Sequence, residues 1–105
     1  MNAGVIVGID TGGTFTDIVA IAGGRLHVNA AVAPGGELRA AILDADATPI
    51  AGLTADRCTP ITGDVRAAGV SWAGGSDLRA ARDAHEHVRV AFTMRRAALY
   101  AWWIA

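Results

Sequence analysis

The sequence predicts an all-β fold: a small antiparallel β-sandwich, jelly-roll-like, with an N-terminal β-hairpin. Three observations predict it. Apolar and polar residues alternate over residues 25–32 and 88–95, the period-two pattern of a strand with one buried face. Glycine and proline punctuate the chain at short intervals (Gly12-Gly13, Gly23-Gly24, Pro34-Gly35-Gly36, Gly74-Gly75), as they do between short strands. No long segment carries a helical apolar stripe, and residues 78–87, the nearest candidate, are short and polar. An α/β nucleotide-binding lobe is the alternative architecture, and it would need helices between the strands.

Taken in order, Val5, Ile6, Val7 and Ile9 form a first apolar run, and Ile18 to Ala22 form a second beyond the Gly12-Gly13 bend. Leu26, Val28, Ala30 and Val32 share one face of the next strand, with Arg25, His27, Asn29 and Ala31 on the other. Ala33-Pro34-Gly35-Gly36 breaks that pattern, after which Leu38, Ala40 and Ile42 point one way and Glu37 and Arg39 the other. Asp44-Ala45-Asp46-Ala47 reads as a turn, because aspartate can hydrogen-bond the local backbone. Residues 48–64 hold Thr48-Pro49, Gly52, Thr59-Pro60 and Gly63 and read as a long connection. Val70 and Trp72 suggest a short strand ending at Gly74-Gly75. Ser76 is placed to cap a single helical turn. Val88, Val90, Phe92 and Met94 alternate with Arg89, Ala91, Thr93 and Arg95, and a final apolar strand runs from Leu99 to Ile104. Within it, alternation assigns Leu99 and Trp103 to the core and Tyr100 and Trp102 to the surface.

Composition narrows the function. At 105 residues the chain supports one core and not a two-lobed enzyme. Its nine basic residues are all arginine and dispersed, and the net charge is −1. That argues against a nucleic-acid footprint, which needs a basic stripe. A single cysteine, Cys58, excludes an internal disulfide. Asp10 and Asp17 interrupt the N-terminal apolar run, which excludes a signal peptide or membrane span there and makes a cytoplasmic location the expectation.

The most informative segment is Gly8-Ile9-Asp10-Thr11-Gly12-Gly13-Thr14-Phe15-Thr16-Asp17. Gly12 and Gly13 let the backbone approach a ligand, and successive N–H groups in such a bend can surround a phosphate oxygen. Thr14 and Thr16 add hydroxyls, and Asp10 and Asp17 supply carboxylates suited to hydrated Mg²⁺. The decapeptide resembles the first phosphate-binding hairpin of the hydantoinase A / oxoprolinase family, which belongs to the actin-like and sugar-kinase-like ATPases. The resemblance covers residues 1–22 and implies ATP and Mg²⁺ binding through Asp10, Gly12, Gly13, Thr14, Thr16 and Asp17. No second phosphate motif follows downstream.

Residues 23–105 carry a different ordered set: Gly36-Glu37-Leu38-Arg39, Ile42-Leu43-Asp44-Ala45-Asp46, Pro49-Ile50-Ala51-Gly52, Asp56-Arg57-Cys58, and Ile61-Thr62-Gly63-Asp64. Val70 to Leu78, Val88 to Phe92 and Ala98-Leu99-Tyr100 continue it. This set resembles the small C-terminal β-sandwich of bacterial sialidase-like and family-32-like glycoside hydrolases, a module that is usually non-catalytic. The chain departs from that family's pattern at Ala47, where glycine is usual, at Ala73, at Arg96-Ala97, and in the longer Arg82–His87 loop. If Ala47 occupies a left-handed turn position, its Cβ costs about 1 kcal/mol.

The other chemical residues have plain structural readings. His85 and His87 share a face on a strand, yet no third ligand is fixed to make a zinc site. Asp44, Asp46, Asp56, Asp64 and Asp77 all lie in turn contexts and not as a carboxylate pair across a cleft. Cys58 reads as a small buried residue. Tyr100 and Trp102 are the candidate glycan or partner surface, including self-association or a neighbouring domain. The expectation is therefore a phosphate-hairpin fragment (1–22) joined to a β-sandwich accessory module (23–105) in one compact unit. No catalysis, cofactor, nucleic acid or membrane is expected. The alternative is a fragment of an ATP-dependent hydantoinase or oxoprolinase, a cyclic amide hydrolase, with ATP and Mg²⁺ as its cofactors.

Overall fold

A computed structural model describes residues 2–10, 13–19, 24–75 and 77–105. The fold is all-β, as the sequence predicts. Its strands are β1 (Asn2–Asp10), β2 (Gly13–Val19), β3 (Leu26–Asp44), β4 (Gly63–Gly69) and β5 (Val88–Ile104). A six-residue helix, α1 (Arg79–Ala84), and a 3₁₀ turn at Ala55–Arg57 interrupt the connections. All five strands belong to one antiparallel sheet in the order β1-β5-β3-β4, with β2 also on β5.

The two long strands organise everything else. β3 pairs with β5 along nearly its whole length, from Leu26 opposite Ile104 to Asp44 opposite Val88. The break expected at Pro34-Gly35-Gly36 does not end the strand. It becomes a register shift between Val32 and Glu37, met on β5 by Arg96 in the left-handed region at φ 50°. Gly36 lets the strands cross closely here, since a Cβ on it would lie 2.8 Å from the Arg96 carbonyl oxygen. Such bulges bend a strand and strengthen its twist. The bend folds the ribbon over, so that Phe92 from one half of β5 meets Trp102 from the other, ring centroids 6.0 Å apart. The described strands thus form a single creased sheet and not two separate sheets.

The core lies inside the crease. Leu26, Val28, Ala30 and Val32 reach it from one half of β3, and Leu38, Ala40 and Ile42 from the other. Val88, Val90, Phe92, Leu99, Trp102 and Ile104 of β5 are fully buried against them. Trp72, Val70 and Leu78 close the open side from the connections. The inward faces read from the sequence are therefore accurate over residues 26–32, 38–42 and 88–94.

Two expectations are corrected. First, β1 and β2 are not a hairpin. Both pair with β5, and the offset is unchanged from Gly8 opposite Leu99 to Val19 opposite Val88. They lie end to end along one edge of β5, because a 17-residue strand offers enough edge for both. Second, the strand expected around Val70 and Trp72 is displaced. The extended pairing falls on β4, residues 63–69, while Trp72 makes isolated bridges to Cys58 and Gly75.

Candidate functional site

The N-terminal motif sits on extended backbone. Asp10 closes β1 opposite Ala97, and Gly13, Thr14, Thr16 and Asp17 lie in β2 opposite Met94, Thr93, Ala91 and Val90. Gly12 lies outside the described residues. A phosphate cradle needs consecutive N–H groups turned towards one point, whereas successive N–H groups of a strand point to opposite edges. On both sides of residues 11–12 the backbone follows β5.

The C-terminal aromatics are rearranged. Tyr100 is exposed at 43%, as the alternation predicts, but Trp102 is fully buried at 0%. The cause is a second bulge. Asn29 pairs with Ala101 and Ala30 with Leu99, which leaves Tyr100 as the extra residue on β5. One inserted residue moves everything beyond it to the other face, so Trp102 and Ile104 turn into the core. Trp103 turns outwards and stacks on His27, its cross-strand partner, at 5.5 Å and 7° between planes. The paired Tyr100–Trp102 platform does not form.

The residues weighed for metal binding are kept apart. His27 is on the sheet face under Trp103. Cys58 is in the core at 2% exposure, where its Sγ accepts from the Ala40 N–H at 3.3 Å. Burial pushes its thiol pKa above the usual value, which makes it a poor nucleophile. Among the described residues no three His, Cys, Asp or Glu side chains are arranged to hold a metal ion.

The acidic side chains are largely occupied by structure. Asp44 Oδ1 accepts from the N–H groups of Asp46 and Thr48, both at 2.9 Å, and fixes the turn in which Ala47 adopts φ 66°. Asp77 accepts from the Arg79 N–H at 2.9 Å and pairs with its guanidinium at 2.7 Å, at the start of α1. Ser76, expected as the cap, lies outside the described residues. Glu37 accepts from Arg39 and from Arg95, the latter at 3.3 Å, and the Arg39 hydrogen bond holds its carboxyl below the usual range.

One concave feature was not legible in the sequence. A depression of about 360 Å³ runs along α1, lined by Ile50, Leu53, Ala80, Ala81, Ala84 and His85. A second, of about 480 Å³, adjoins it through Ala84 and His85 and is lined by Asp44, Asp46, Glu86 and His87. Several stretches separate in sequence build this trough, and none of them marks it as concave on its own. Only the mixture of small residues at 73–75 and 80–84 hints that bulk is missing there.

No family model matches the chain, and no curated protein or solved structure matches it.

Proposed function

We propose that this chain is a non-catalytic β-module of the accessory type attached to glycoside hydrolases. The observation that carries the reading is the employment of its reactive side chains. Asp44 holds a turn, Glu37 is clasped by two arginines, Asp77 is bonded to Arg79, and Cys58 is buried against Ala40. Groups so engaged stabilise a scaffold and are not free for the acid and nucleophile roles that glycoside hydrolysis needs. Contact with a glycan or a neighbouring domain would fall to exposed Tyr100 and to half-buried Trp103, which is stacked on His27.

The wording of Gly8–Asp17 favours a second reading, a fragment of an ATP-dependent hydantoinase or oxoprolinase. One segment supplies one side of a phosphate site, so binding no tighter than about 1 mM, or about −4 kcal/mol, is expected for Mg-ATP. Calorimetric titration separates the readings. Micromolar Mg-ATP affinity that disappears in Asp10→Ala would establish the ATPase fragment. Turnover of chromogenic glycosides by the wild-type chain, lost in Asp44→Asn, would overturn the non-catalytic reading.

A further inference from the structure

We propose that the trough along α1 binds a small amphipathic organic cation, an apolar body ending in an ammonium group. This goes beyond the accessory role above.

The apolar part comes first. The floor is Ile50, Leu53 and Ala81, all packed on or within the core, and the volume of about 360 Å³ is in the range of small-molecule pockets. Its walls are low because the surrounding residues are small. Ala80 and Ala84, one helical turn apart, present only methyl groups. On the opposite rim Gly52 and Gly75 have left-handed φ values of 84° and 130°, and a Cβ on either would meet nothing within 4 Å. Water covering such a floor is readily displaced by an apolar group.

Charge then selects the ligand. At the His85 end the trough opens between Asp44, Asp46 and Glu86. Asp46 and Glu86 are exposed, and their carboxylates make no ion pair among the described residues. Arg89 reaches this end, where its Nε donates to the Ala45 carbonyl oxygen at 3.1 Å. Among the described side chains, three carboxylates at this end outnumber that one guanidinium. In the apolar part Asp77 is matched by Arg79. Sugars are disfavoured because no Trp, Tyr or Phe ring lines either depression. A bare metal ion is disfavoured because the described side chains form no ligand set.

Three probes of one shape test the assignment: 4-phenylbutylamine, 4-phenylbutanol and 4-phenylbutyrate, titrated into ¹⁵N-labelled full chain. The amine should saturate amide shifts at Leu53, Ala81 and His85, and bind roughly two- to fivefold more tightly than the alcohol, the range for exposed charge pairs. The butyrate should bind most weakly. The Asp46→Asn/Glu86→Gln double variant should erase the preference for the amine over the alcohol and leave alcohol binding unchanged. Ala84→Trp should fill the trough and abolish binding of all three probes at an unchanged melting temperature. If that variant melts early, Ala80→Leu takes its place as the block. Equal binding of amine and butyrate, shifts that fail to saturate at those residues, or full binding in the folded blocking variant would overturn the proposal.

Discussion

Phe92 and Trp102 lie ten residues apart on a single strand, yet their ring centroids are 6.0 Å apart. On a straight strand that separation would be about 33 Å. The pair therefore reports the fold of the sheet over itself, and it ties the two halves of β5 together. Phe92→Ala should cost about 3–5 kcal/mol. A domain of this size has stability of the same order to lose, so the variant should show no cooperative melt at room temperature.

The bulge at Tyr100 separates two neighbouring aromatics. Tyr100→Ser should leave a cooperative transition close to wild type, as exposed substitutions usually do. Trp102→Thr should abolish it, because it empties a fully buried site. Thermal melts of the two single variants distinguish them. Equal tolerance of both would mean that β5 keeps regular alternation to its end.

Ala47 pays for a left-handed turn without glycine's freedom. At φ 66° its Cβ is strained, and Ala47→Gly should stabilise the fold by about 1 kcal/mol. Gly36→Ala should do the opposite and destabilise strongly, since the new methyl would lie 2.8 Å from the backbone oxygen of Arg96. Both are read from denaturant midpoints at constant slope.

The edge of β3 at Ala40 is satisfied by side chains where no strand reaches it. Trp72 Nε1 donates to the Ala40 carbonyl oxygen at 3.0 Å, and Cys58 Sγ accepts from its N–H. Trp72→Phe leaves that buried carbonyl unpaired and should cost about 1–3 kcal/mol. Hydrogen exchange should report faster opening of the Ile42 and Ile61 amides, which donate to the Leu53 and Leu38 carbonyl oxygens on either side of Ala40.

Stability should fall at both ends of the pH range, for opposite reasons. Burial raises the Cys58 pKa in the folded state, so its unfolded thiol ionises first, from about pH 9.0. The stability it contributes is complete below that pH and is lost as pH rises through the higher folded value. Cys58→Ala should flatten the alkaline slope of a melting profile. The Glu37 carboxyl is shifted the other way, chiefly by the Arg39 hydrogen bond. Its contribution is present above the ordinary value of 4.5 and is lost as pH falls through the folded one, so Glu37→Gln should flatten the acid slope.

The sequence by itself determined the class of this fold and most of its inward faces. Leu26 to Val32, Leu38 to Ile42 and Val88 to Met94 alternate in the chain and alternate in the structure, because a strand's side-chain period is a local property. The turn at Asp44–Ala47 was legible for the same reason: a carboxylate bonding amides two and four residues on needs no distant partner. β4 was not legible, since Gly63–Gly69 carries no apolar alternation and is a strand because β3 offers it an edge. The hairpin reading of Gly8–Asp17 failed in kind, for the backbone on either side of its bend pairs with distant β5, Asp10 with Ala97 and Gly13 with Met94. Only the tertiary structure decided the two bulges at Arg96 and Tyr100 and the trough along α1. A bulge is set by the register that best buries both strands at once, and a trough by what separate segments leave unfilled. Neither quantity exists until distant parts of the chain have met.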